Sequence, residues 1–210
     1  MISLDIISDP ICPWCYIGLA KLRAGLASHD HDPFEVQWRP FQLNPDMPAE
    51  GMDRAAYLEA KFGAENAERF YTRIEETAKE AGLDVHFDRI AKTPNTIDAH
   101  RLIRWAKSTG NQTAVKTQLF IRYFERGEDI SDHDVLLDVA ETTGMERPIV
   151  ERLLAGDADV EAVRQEDTAA RQMGVTGVPT FIIAGKYVLQ GAQEAETWSR
   201  VVEELAAVPT

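Results

Sequence analysis

Ile2-Ser3-Leu4-Asp5-Ile6-Ile7 alternates apolar and polar positions and then turns wholly apolar, the pattern of a buried strand. A helical pattern follows, with Trp14, Ile17, Leu19 and Leu22 apolar, Pro13 where a first turn tolerates proline, and an end near Ser28. Phe34-Glu35-Val36-Gln37-Trp38 alternates again, as a strand with one buried face does, and Pro40 and Pro45 stop it. From about residue 51 the character is helical. Asp53 can cap a helix through Tyr57, Leu58 and Phe62 to Gly63. The stretch 64–81 carries Phe70, Ile74 and Ala78 on one stripe and closes at Gly82. Leu83 to Phe87 reads as extended, and Thr93 to Thr96 as a turn. Thr96 or Asp98 can cap the next helix, which Gly110 stops. Further helical stretches are predicted over 113–126, from Ser131 or Asp132 to Gly144, and early around Pro148 through Leu154. A polar one, capped by Asp157, runs to Met173. After Gly174 strand character returns. Val178 to Ile183 and Lys186 to Gln190 flank Gly185 as a hairpin, and a last helix carries Trp198, Val201, Val202 and Leu205.

This order predicts an α/β fold. Strand, helix and strand imply a right-handed crossover with parallel pairing, and the terminal hairpin adds antiparallel strands. The helical middle reads as an insertion between the two halves. No tandem repeat or low-complexity segment interrupts it.

Charge and composition narrow the partners. Hydrophobic residues make up 44% and charged residues 27%, as in an ordinary globular protein. The net charge of -13 argues against nucleic acid and against anionic membrane surfaces, which reward clustered Lys and Arg. No apolar stretch approaches the ~20 residues of a membrane span. Met1 leads straight into the first strand, without a basic or apolar leader pattern, so a cytoplasmic location is expected.

The chemistry lies at Cys12-Pro13-Trp14-Cys15, which holds both cysteines of the chain. Three-residue spacing puts both sulfurs on one face of a first helical turn. The unpaired N–H groups and the dipole at that helix start favour an anion, and the thiolate is the reactive form of cysteine. Cys12, at the helix start, is therefore expected to be the more exposed and the more acidic thiol. A structural zinc site wants four ligands, and the nearest histidines, His29 and His31, stand a helix away in a polar linker. A static disulfide would close only a tiny loop and restrict little chain entropy.

Asp9-Pro10 before the pair and Tyr16-Ile17-Gly18 behind it extend the motif. Three further stretches join it: Trp38-Arg39-Pro40-Phe41-Gln42-Leu43-Asn44-Pro45, Asn95-Thr96 with Ala99-His100-Arg101, and Gly177-Val178-Pro179-Thr180. Together they resemble DsbA-like thioredoxin-fold oxidoreductases of the FrnE type. That branch neighbours the 2-hydroxychromene-2-carboxylate isomerases and kappa-class glutathione transferases. The resemblance implies a thioredoxin-like fold with a large all-helical insertion: residues 1–44 and 175–210 form the thioredoxin-like domain and 45–174 the insertion. It implies Cys12 as nucleophile and Cys15 as resolving thiol, with Pro13, Trp14 and Pro179 tuning the redox pair. It further implies a cis bond before Pro179 and packing of that proline against the cysteines. Val178, Thr180, Asn95, His100 and Arg39 would border the substrate. On the residues themselves, Arg39 reads equally as an ion-paired surface group and His100 as a structural histidine. No metal and no tightly bound cofactor are implied, with glutathione as a candidate co-substrate. The partners would be a disulfide-containing protein or a small thiol, with the chain a monomer or a homodimer. Two other readings stay open. One is a glutathione-dependent isomerase of a small aromatic compound, although those isomerases usually carry serine at the place of Cys12. The other is a binding or chaperone-like module.

Overall fold

The computed structural model describes residues 1–207 and, within them, every side chain except those of 64–68 and 70. The expected place of Phe70 on a buried stripe therefore lies outside the described residues. A four-stranded sheet is built from β1 (Ile2–Ser8), β2 (Phe34–Pro40), β5 (Thr180–Ile183) and β6 (Tyr187–Gln190), in the order β2-β1-β5-β6. β1 pairs parallel with β2 and antiparallel with β5, and β5 pairs antiparallel with β6. Leu4, Ile6 and Ile7 of the inner strand β1 are all buried, which explains why its pattern loses alternation. β2 runs on to Pro40, two residues beyond the expected end, and remains an edge strand, where proline is tolerated.

Helix α1 (Pro13–Leu26) links β1 to β2, and α9 (Ala195–Ala207) packs beside it. Their contact is close at Gly25. A Cβ there would lie 2.5 Å from Cβ of Trp198 and 2.6 Å from the carbonyl oxygen of Ala195. Trp198 is fully buried against Phe34 and Phe181, so it has little room to retreat. Gly25→Ala should lower the urea midpoint by the equivalent of about 1–3 kcal/mol, the usual overpacking cost, at an unchanged m-value. An unchanged midpoint would contradict this close packing.

Between β2 and β5 the chain forms α2 (Arg54–Phe62), α3 (Ala64–Glu80), α4 (Ile97–Trp105), α5 (Gln112–Phe120), α6 (His133–Thr142), α7 (Arg147–Leu154) and α8 (Val160–Gln172). A two-residue ladder of β3 (Met52–Asp53) with β4 (Lys92–Thr93) pins the start of α2. Asp53 caps α2 as expected, accepting from the N–H of Ala56. The helix over 113–126 divides into α5 and a π-helical turn, Ile121–Glu125.

Three local expectations are corrected. Leu83 to His86 forms no strand, and Phe87–Arg89 is a 3₁₀ turn. This stretch borders no sheet, and the N–H of His86 goes to the carbonyl of Phe124. Second, α8 is preceded by Asp159 and not capped by Asp157: Asp159 adopts a left-handed conformation, and its carboxylate is held by Arg104 and Trp105 of α4. Third, neither Thr96 nor Asp98 caps α4 through its side chain; Asn95 accepts from the N–H of Ile97.

Candidate active site

Cys12 is the N-cap of α1 and Pro13 opens its first turn, so the redox pair stands where a strand hands over to a helix. The carbonyl of Asp9 accepts from the N–H of Cys12, and the carbonyl of Cys12 accepts from the N–H of Cys15. Both thiols are free. The Val178–Pro179 bond is cis. Cys12 Sγ donates to the carbonyl oxygen of Val178 at 3.5 Å, which brings the two ends of the chain into one site. The ring of Pro179 also lies over Gly18 of α1, where a Cβ would meet Cγ of the proline at 3.1 Å.

The expected greater exposure of Cys12 amounts to almost nothing: Cys12 is 3% and Cys15 2% exposed, so both thiols are buried. Both lie in the core cluster that also holds Leu102 of α4 and Leu119 and Phe120 of α5. α3 packs on α1, placing Ile74 and Ala78 against Ile17, with Trp14 and Tyr71 at the margin of the same cluster. Burial, and then the neighbouring Cys12 thiol, push the Cys15 thiol well above the usual cysteine range. Lys116 and the backbone at Asp9 oppose that rise.

A buried polar group of three residues stands behind the pair. Asp9 is fully buried; its carboxylate accepts from the N–H groups of Ile11 and Leu43, tying the cysteine turn to the loop after β2. His100 of α4 places Nε2 3.7 Å from Asp9 Oδ1, in ionic range but too far for a hydrogen bond. Burial lowers the His100 pKa against the opposing pull of Asp9, which favours the neutral ring. Lys116 of α5 is 1% exposed and lies over the rings of Phe120 and Trp38. Burial lowers its pKa to about 8, while Cys15, Asp9 and Cys12, in that order, favour its charged form. The arrangement can therefore set a cation against a thiol that burial would otherwise keep protonated.

The remaining residues singled out from the sequence scatter. Thr180 is buried, donates to the carbonyl of Gly177 and pairs with Ile7. Asn95 is occupied by its own turn and by the carbonyl of Met47. Arg39 lies within β2, paired with Asp5 and Gln37. None of the hydrogen bonds or ion pairs of Asn95 and Arg39 reaches the cysteine pair. Sequence reasoning missed Lys116. Its signal was a lysine at helical spacing from Leu119, Phe120 and Tyr123, on a stripe that is otherwise apolar.

Comparison with known proteins agrees with this geometry. A probable DsbA oxidoreductase from Streptomyces coelicolor superposes with a TM-score of 0.88 at 30% identity, covering 100% of this chain and 92% of the other. A 2-hydroxychromene-2-carboxylate isomerase shares the fold, with a TM-score of 0.72 at 15% identity over 97% of this chain and 96% of its own. The cytosolic disulfide reductase DsbM from Pseudomonas aeruginosa, solved with GSH, does so with 0.67 at 18% identity over 98% and 100%. With a family model of the DSBA-like thioredoxin domain matching residues 3–203, the chain belongs to the DsbA-like thioredoxin oxidoreductase family.

Proposed function

We propose that this protein is a cytoplasmic thiol–disulfide oxidoreductase of the FrnE type that uses Cys12 and Cys15 through a mixed disulfide. The observation that carries the reading is the pair of free thiols at a helix start, with Cys12 against the Val178 carbonyl and a buried lysine behind. In the first step the Cys12 thiolate attacks a substrate disulfide; a Cys12–substrate disulfide forms and one substrate thiolate leaves. In the second the Cys15 thiolate attacks Cys12 Sγ, the second substrate thiolate leaves, and the two cysteines are joined. Two electrons have passed to the substrate. Two glutathione molecules can return them, yielding glutathione disulfide; the structural likeness to a cytosolic disulfide reductase solved with GSH supports glutathione as co-substrate. Pro13, Trp14 and Pro179 shape the start of the helix and its cover, and the backbone at Val178 borders the substrate. Disulfide-bearing proteins and small disulfides are the substrate classes.

The test measures glutathione-driven reduction of insulin beside isomerisation of 2-hydroxychromene-2-carboxylate by the same preparation. Insulin reduction well above the glutathione background, without isomerisation, is expected. Isomerisation without disulfide reduction would overturn the reading in favour of the isomerase.

A further inference from the structure

A cavity of about 910 Å³ opens between the edge strand β2 and helices α4, α5, α7 and α8. Its size suits a small ligand. Cys12, Cys15 and Pro179 do not line it. Its walls are mixed: Trp38, Ile103, Trp105, Leu153 and Val163 supply apolar surface among polar and charged side chains. Three buried polar side chains, His100, Gln112 and Lys116, also line it. His100 Nε2 has no hydrogen-bond partner among the described residues. Lys116 has no hydrogen bond or ion pair among them either; it faces the rings of Trp38 and Phe120 at 5.4 and 5.1 Å.

We propose that this cavity binds a small organic monoanion, an aromatic or aliphatic carboxylate, with its apolar body between Trp38, Trp105 and Leu153 and its carboxylate at Lys116 and His100.

His100 Nε2 is an orphaned buried atom, which is costly, and a carboxylate that accepts from its N–H beside Lys116 removes that cost. Lys116 remains mostly protonated at neutral pH, since burial lowers it only to about 8. The nearby carboxylate of Asp9 is engaged by two backbone N–H groups and stands 3.7 Å from His100. Gln112 is fixed in place, because its side chain accepts from the N–H of Trp38 and donates to the carbonyl of Ile103. Other charges on the cavity wall largely cancel. Arg39 is paired with Asp5, and Arg104 with Asp159 and Glu166. Lys107 bonds to Gln37 with no carboxylate partner, while Glu146 adds one negative charge. A single anionic group therefore matches the inner end, because the other cationic side chains of the wall, Arg39, Arg104 and Lys107, are already bonded.

The test uses the reduced protein, so it requires no turnover and stands whether or not the redox reading does. Benzoate, phenylacetate and indole-3-acetate are titrated by calorimetry, each beside its neutral amide. At least one acid should bind with a Kd of about 1 mM or tighter, and its amide about tenfold more weakly or worse. In ¹H–¹⁵N spectra of the wild-type protein the indole signals of Trp38 and Trp105 should shift. Those of Trp14, beside the cysteines, and of Trp198 should not. Lys116→Met should remove the preference for acid over amide, and Leu153→Trp should weaken both ligands about tenfold or more. The proposal falls if no acid binds better than its amide, if the preference survives Lys116→Met, or if the shifts centre on Trp14. Unchanged binding by a folded Leu153→Trp protein would also overturn it.

Discussion

Replacing Cys12 by serine should reduce disulfide turnover by about a thousandfold or more, to the background of glutathione itself, as loss of a nucleophile does elsewhere. Replacing Cys15 by serine should give a different failure. The first exchange needs only Cys12, so the Cys15→Ser protein should consume one equivalent of substrate disulfide and stop as a mixed disulfide. Intact-mass measurement after exposure to glutathione disulfide should show one glutathione adduct, and peptide mapping should place it on Cys12. The structure makes this outcome specific. Cys12 Sγ meets the Val178 carbonyl, whereas burial and the Cys12 thiol raise the Cys15 pKa. An adduct on Cys15 in the Cys12→Ser protein, at a comparable rate, would reverse the two roles. Both thiols are buried, so slow alkylation of the resting wild-type enzyme by bulky reagents is consistent with the mechanism.

Lys116→Met should move activity and stability in opposite directions. Resolution needs Cys15 as thiolate, and Lys116 opposes the burial that keeps it protonated. Each unit by which the Cys15 pKa rises cuts the thiolate fraction about tenfold, partly offset by greater nucleophilicity. A fall in the resolution rate of about three- to tenfold at pH 7 is expected. The deficit should shrink above pH 8, where Lys116 itself loses its proton in the wild-type protein. Stability follows the reverse course. The folded pKa of about 8 lies below the unfolded value near 10.5, so the cost of burying the charged lysine is fully present below pH 8. That cost falls away as pH rises from 8 towards 10.5. At pH 7 the methionine variant should therefore be the more stable protein, by at most on the order of 3 kcal/mol, and its advantage should vanish at high pH. Urea unfolding and single-turnover resolution across pH measure both. A variant that is less stable and equally slow at every pH would make Lys116 a packing residue only.

Much of the site was legible because its parts are local. The cysteine spacing, Pro13 and the apolar run before them fix the strand-to-helix handover through neighbours a few residues apart. The hairpin from Thr180 to Gln190 and the Asp53 cap were readable for the same reason. Burial and electrostatic pairing are different in kind, because their partners come from distant sequence. Residues 83–86 have an extended pattern but no strand to pair with, so they stay irregular. Asp159 takes the place expected of Asp157 because Arg104 and Trp105 claim its carboxylate. Lys116 is an isolated lysine on an apolar helix face until α5 packs against β2 and sets it behind Cys15. The sequence by itself determined which atoms can do redox chemistry and which local turn presents them. The tertiary structure alone decided how deeply they are buried and which charges they feel, since desolvation and Coulomb interaction depend on distance in space, and the chain order does not specify it.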